Sequence, residues 1–71
     1  MTVGQAIKKA RTEKGYSQYK LANKIGTYAY VISQWEHDKF QPCLYLLMKM
    51  ADVLEISLDD LVGRKVTSNE V

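Results

Sequence analysis

Ala29, Tyr30, Ser33 and Gln34 carry groups that can touch another molecule, and helical spacing gathers Tyr30, Ser33 and Gln34 toward one side, with Ala29 at its edge. They supply a methyl, a phenol, a hydroxyl and a carboxamide, groups that make hydrogen bonds and apolar contacts rather than break bonds. A carboxamide at Gln34 can bridge N6 and N7 of an adenine, and a methyl at Ala29 can pack on a thymine methyl. Tyr30 adds a ring for thymine methyls and a hydroxyl for a phosphate or base edge. No arginine stands among them, so the paired contact to guanine is missing and any base preference leans toward A·T pairs. For catalysis the chain offers little. The single His37 and the single Cys43 lack the paired Cys/His spacing of a zinc site, and they are a poor basis for a nucleophile and base. The sequence therefore predicts a binding protein, with no enzyme activity, metal or cofactor.

The run from Gln18 to Glu36 must position these residues. Two short helices, Gln18 to about Lys24 and Tyr28 or Ala29 to Glu36, are joined there by Gly26-Thr27. Ala22 falls where the helices cross, and a larger side chain would push the backbones apart. Gly26 stands where the chain reverses, a step that calls for positive φ. Leu21, Ile25, Ile32 and Trp35 close the angle from inside. With Ile32 at the centre of the buried stripe, Val31 and Trp35 lie beside it and Tyr30, Ser33 and Gln34 face the other way.

Around this pair the patterning predicts three more helices. The first runs from near Thr2 to Lys14 and ends at Gly15. Ser17 caps the second through its hydroxyl, with Tyr16 and Leu21 as a hydrophobic staple and Lys20 where a capping box would need an acid. Pro42 suits the first turn of a fourth helix whose packed face is Leu44, Leu47, Met48, Ala51 and Leu54. Ser57 caps a short fifth helix that carries Asp59 and Asp60 in its first turn and stops at Gly63.

Arg11, Gly15, Ser17-Gln18, Leu21-Ala22, Gly26, Ile32-Ser33, Trp35-Glu36, Pro42, Ala51, Leu54 and Ser57 to Leu61 together resemble the phage-repressor-like helix-turn-helix family, of the Cro and Xre type. The resemblance spans about nine tenths of the chain. It implies an all-α, five-helix, lambda-repressor-like domain that binds double-stranded operator DNA as a homodimer, with two recognition helices about 34 Å apart in successive turns of the major groove. It also implies roles. Ala29, Tyr30, Ser33 and Gln34 contact bases, Gln18 and Tyr28 contact phosphates, and Arg11 and Glu36 form a structural salt bridge. Leu58, Leu61 and Val62 contribute to the dimer contact. Lys20 and Lys39, with Lys8 or Lys9 and more remotely Arg11, are further phosphate candidates by charge. Two positions depart from the pattern. Tyr28 replaces the usual capping Ser or Thr, leaving Thr27 to cap or the cap lost, and Asp38 replaces a glycine and brings negative charge toward the DNA backbone.

Seventy-one residues with 46% hydrophobic and 25% charged content predict one soluble domain, over 1–66, with a tail from Thr67 to Val71. The apolar run Leu44 to Met48 is far short of the roughly 20 residues a membrane helix needs, and Lys8, Lys9 and Arg11 interrupt any signal segment. With one cysteine, a reducing, cytoplasmic location is expected. The net charge of +2 conceals an asymmetry: six basic residues against one acid through Trp35, then six acids against two lysines from Glu36 to Gly63. Such a basic half suits a polyanionic partner. A sequence-specific transcriptional regulator, acting as a repressor, is the first expectation. A protein-interaction adaptor or antitoxin-like partner on the same fold is the alternative, suggested by the tyrosine-rich, arginine-free outer face.

Overall fold

The computed structural model describes residues 2–62. The expected stop at Gly63 and the tail from Thr67 lie outside the described residues. Five helices follow in order: α1 (Val3–Lys14), α2 (Gln18–Ile25), α3 (Ala29–Glu36), α4 (Leu44–Leu54) and α5 (Leu58–Val62). The described residues contain no strand.

Local chemistry explains most of the boundaries. Thr2 caps α1 in a full capping box, its hydroxyl accepting from Gln5 N while the Gln5 side chain accepts from Thr2 N. Ser17 accepts from Lys20 N, and Ser57 from Asp60 N. α1 and α2 end at Gly15 and Gly26, with φ of 82° and 84°, where a side chain would be strained. The same left-handed conformation ends α4 at Glu55 and follows α3 at Asp38, both without glycine.

α2 packs on α3, α1 on α3 and α5, and α4 on α2 and α5. Their shared core holds Ile7, Ala10, Leu21, Ala22, Ile25, Ile32, Trp35, Met50, Ala51, Leu54 and Leu61. Ala22 is almost fully buried, as a close crossing requires.

Two expectations about α4 need correction. Pro42 precedes the helix instead of opening it, because Cys43 takes the N-cap in extended conformation and its carbonyl accepts the first helical bond, from Leu47 N at 3.0 Å. The packed face is also different. Met50, Ala51 and Leu54 are buried and Leu47 is half-buried, whereas Leu44 and Met48 point outward beside Tyr45. The helix is apolar nearly all round at its start, so spacing alone admitted both faces.

Candidate nucleic-acid interface

α3 is two-sided. Ile32, Trp35 and Glu36 are buried and Val31 packs against the core, while Tyr30 is exposed and Ala29, Ser33 and Gln34 are half-buried. The four expected base readers therefore lie together on the helix face that the core does not use. Tyr28 takes the N-cap with extended backbone and no side-chain cap bond, so neither it nor Thr27 caps the helix. Val31 N and Ile32 N both donate to the Tyr28 carbonyl, which leaves the N–H groups of Ala29 and Tyr30 open to another acceptor. Tyr28 and Tyr30 are 68% and 66% exposed, and their rings stack with centroids 6.0 Å apart and planes 17° from parallel. Tyr28 also lines a shallow groove with Tyr19, Asn23 and Ala29.

The inner end of α3 is held by a buried ion pair. Arg11 Nε donates to Glu36 Oε2 at 2.6 Å and Nη2 to Oε1 at 3.1 Å, with the Glu36 side chain only 2% exposed. Such a two-pronged pair fixes orientation as well as distance. Arg11 Nη1 donates to the Tyr16 carbonyl at 2.8 Å, so all three guanidinium nitrogens are occupied. The expectation that Arg11 reaches a phosphate is therefore corrected: its guanidinium is turned into the protein, with the side chain only 11% exposed. Gln18 joins the same network, its Nε2 donating to Glu36 Oε1 at 3.0 Å. Its side chain is thus half engaged in support, while its backbone N–H remains at the first position of α2.

The lysines are arranged differently. Lys20 and Lys24 lie over the Tyr16 ring, 4.8 and 5.7 Å from its centroid, which gathers two positive charges on α2. Lys39 is exposed just beyond α3, its N–H donating to the Gln34 carbonyl at 3.0 Å. His37 donates from Nδ1 to the Ser33 carbonyl at 2.8 Å, because a carbonyl can only accept. Of the three residues expected at a dimer contact, Leu61 is fully buried in the chain's own core and cannot present itself to a second copy. Leu58 and Val62 are half-buried.

Two features were missed from the sequence, the close approach of other backbone at Gly4 and the bonds of the Asp38 carboxylate to Thr2 and Gly4. A Cβ on Gly4 would collide with the Trp35 carbonyl oxygen and come within 2.7 Å of Asp38 Oδ1 and 2.8 Å of the Glu36 carbonyl oxygen. Glycine at the second position of a helix, where it weakens the helix, was the available signal of a close approach.

This geometry can be set beside known proteins. The family model described as helix-turn-helix matches residues 7–61, most of the chain. The chain belongs to the helix-turn-helix family. Its fold superposes on that of the P22 c2 repressor protein, solved in complex with a synthetic operator, with a TM-score of 0.84 and 26% identity, covering 92% of this chain and 98% of that one. Among curated relatives, a prophage-derived, uncharacterized HTH-type transcriptional regulator of Bacillus subtilis, YonR, is 37% identical over 59 residues, 83% of this chain. A putative multi-protein-binding factor 1 of Yarrowia lipolytica is 44% identical over 57 residues, 80% of this chain. This helix-turn-helix chain spans 55% of the length of the first and 38% of the second. Among its described residues, no helix is long and apolar enough to cross a membrane.

Proposed function

We propose that this chain is a transcriptional regulator that binds double-stranded DNA sequence-specifically, acts as a repressor, and reads the major groove with α3 as a homodimer in the cytoplasm. The observation that carries the reading is the division of α3 into a face locked to the core and a face left open. Ala29, Tyr30, Ser33 and Gln34 would contact base edges from that open face. Tyr28, the backbone N–H of Gln18, Lys20 and Lys39 would hold phosphates around it and set the register of α3 in the groove. The Arg11–Glu36 pair keeps α3 aligned from behind. Likeness to a repressor solved with its operator and to a prophage regulator supports the same reading. In a dimer, two copies of α3 would lie about 34 Å apart, one turn of DNA. Leu58 and Val62 remain candidates for that contact.

Selection of bound sites from a random duplex pool, followed by a salt titration on the recovered site, tests the proposal. Recovery of a two-fold sequence is expected, with log affinity falling against log salt by about 0.9 per phosphate contacted. No enriched sequence, or a one-sided site bound by a monomer, would defeat the sequence-specific dimer.

A second reading, an adaptor that binds protein, is favoured by the exposed tyrosines Tyr19, Tyr28 and Tyr30 and by likeness to the Yarrowia factor. Tyrosine is common at protein interfaces. An adaptor would bind no duplex even at low salt.

A further inference from the structure

α3 leaves the body of the molecule at a junction that the DNA reading does not use. Asp38 holds a left-handed backbone at φ 58°, and its carboxylate reaches across to the start of α1. Oδ2 accepts the Thr2 hydroxyl at 2.7 Å and Oδ1 accepts the Gly4 N–H at 3.0 Å. The Thr2 oxygen in turn accepts from Gln5 N, so a side chain from the turn just after α3 completes the capping of α1. The absent side chain at Gly4 lets the α1 backbone come down onto the Trp35 and Glu36 carbonyls. The positive end of the α1 dipole attracts the carboxylate.

The turn that carries Asp38 is also bonded to the recognition helix. Asp38 N donates to the Trp35 carbonyl and Lys39 N to the Gln34 carbonyl, each at 3.0 Å. A shift of Asp38 is therefore passed to the backbone of Gln34. α3 has only eight residues and no side-chain cap at its start, so its exit has a large share in deciding its pose.

We propose that Asp38 is a positioning residue for DNA recognition, pinning the exit of α3 to the N-terminus of α1 and so setting how Ser33 and Gln34 meet the groove. The inference rests on the DNA reading above. It also accounts for a negative charge near the DNA: the carboxylate is turned onto α1 and serves as a clamp.

Two variants separate positioning from charge. Asp38→Gly keeps the left-handed backbone without strain and removes the clamp, while Asp38→Asn removes the same charge and keeps one acceptor. Affinity is measured for a site selected by the unaltered chain and for random-sequence duplex, at one salt concentration and below the melting temperature of every variant. The ratio of the two affinities should fall about five- to tenfold in Asp38→Gly, near the lower end of the effect of one mismatched base pair, and by less in Asp38→Asn. A bystander charge would tighten both complexes by the same factor in both variants. That result, or an unchanged ratio in Asp38→Gly, overturns the proposal. If the unaltered chain binds no duplex at any salt, the DNA reading itself fails, and amide NMR shifts judge the clamp. Asp38→Gly must then move the Ser33 and Gln34 signals as well as Gly4, and a change confined to Thr2 through Gln5 overturns it.

Discussion

At the residue scale, two kinds of side chain on one short helix do opposite work. Gln34 faces outward, where an amide can discriminate a base, and Gln34→Ala should weaken binding to the preferred site by about 1–3 kcal/mol while relaxing one base position. A panel of single-base variants of the selected site checks this, and equal loss on every variant would refute the assignment. Glu36 faces inward, and its worth is structural. Removing either member of the Arg11–Glu36 pair strands a buried charge, so Arg11→Ala or Glu36→Ala should lower unfolding stability by about 3–5 kcal/mol in urea titration. Replacing both with apolar residues of similar size should cost much less than either single change. The pairing of Arg11 with Glu36 came from family resemblance. That Gln18 and the Tyr16 carbonyl complete the network depends on side-chain directions that spacing does not give.

Among the helices, those ends that rely on local chemistry were legible: Ser17 and Ser57 cap, and Gly15 and Gly26 terminate. The contacts between distant segments were not. Gly4 and Asp38 are separated by more than thirty residues and meet only because α1 packs on α3. Alanine is intrinsically the better helix former by roughly 1 kcal/mol, yet the atoms facing Gly4 include two backbone carbonyls that cannot swing aside. Gly4→Ala should therefore destabilise the fold by about 1–3 kcal/mol, as overpacking does, and a melting temperature equal to or above that of the unaltered chain would contradict it. α4 gives the converse lesson. Its start is apolar on every side, so the sequence could not say that Met50 goes in and Met48 stays out.

Over the whole molecule, charge and closure are organised by different contacts. The basic first half and acidic second half are joined at the surface by Lys14 Nζ and Glu55 Oε1, 2.6 Å apart. The hydrogen bond from Lys14, reinforced by its charge, holds the Glu55 carboxyl below its ordinary value of 4.5. The hydrogen bond to Glu55 raises the Lys14 ammonium above 10.5, with its charge adding to the effect and burial opposing it. As pH falls, the unfolded carboxyl protonates first. The contribution from Glu55 is thus fully present above about 4.5 and lost as pH drops through its lowered folded value. That from Lys14 is present below 10.5 and lost as pH rises through its raised value. The stability difference between the unaltered chain and Glu55→Gln should accordingly be flat from roughly pH 6 to 9, shrink at both extremes, and fade with added salt. A difference that grew toward acid would show the sign to be wrong.

The sequence by itself determined the five helices, the helix-turn-helix geometry and the outward placement of Ala29, Tyr30, Ser33 and Gln34. Caps, turns and helical periodicity act within a few residues, and their chemistry is written in the order of the chain. The tertiary structure alone decided that Leu61 belongs to the core, that α4 keeps Leu44 and Met48 outside, that Arg11 is buried with its guanidinium turned onto Glu36 and the Tyr16 carbonyl, and that Asp38 closes onto Thr2 and Gly4. Each of these depends on how close two separate helices come and which way they are turned. That is a balance of packing among all of them, and no local pattern encodes it.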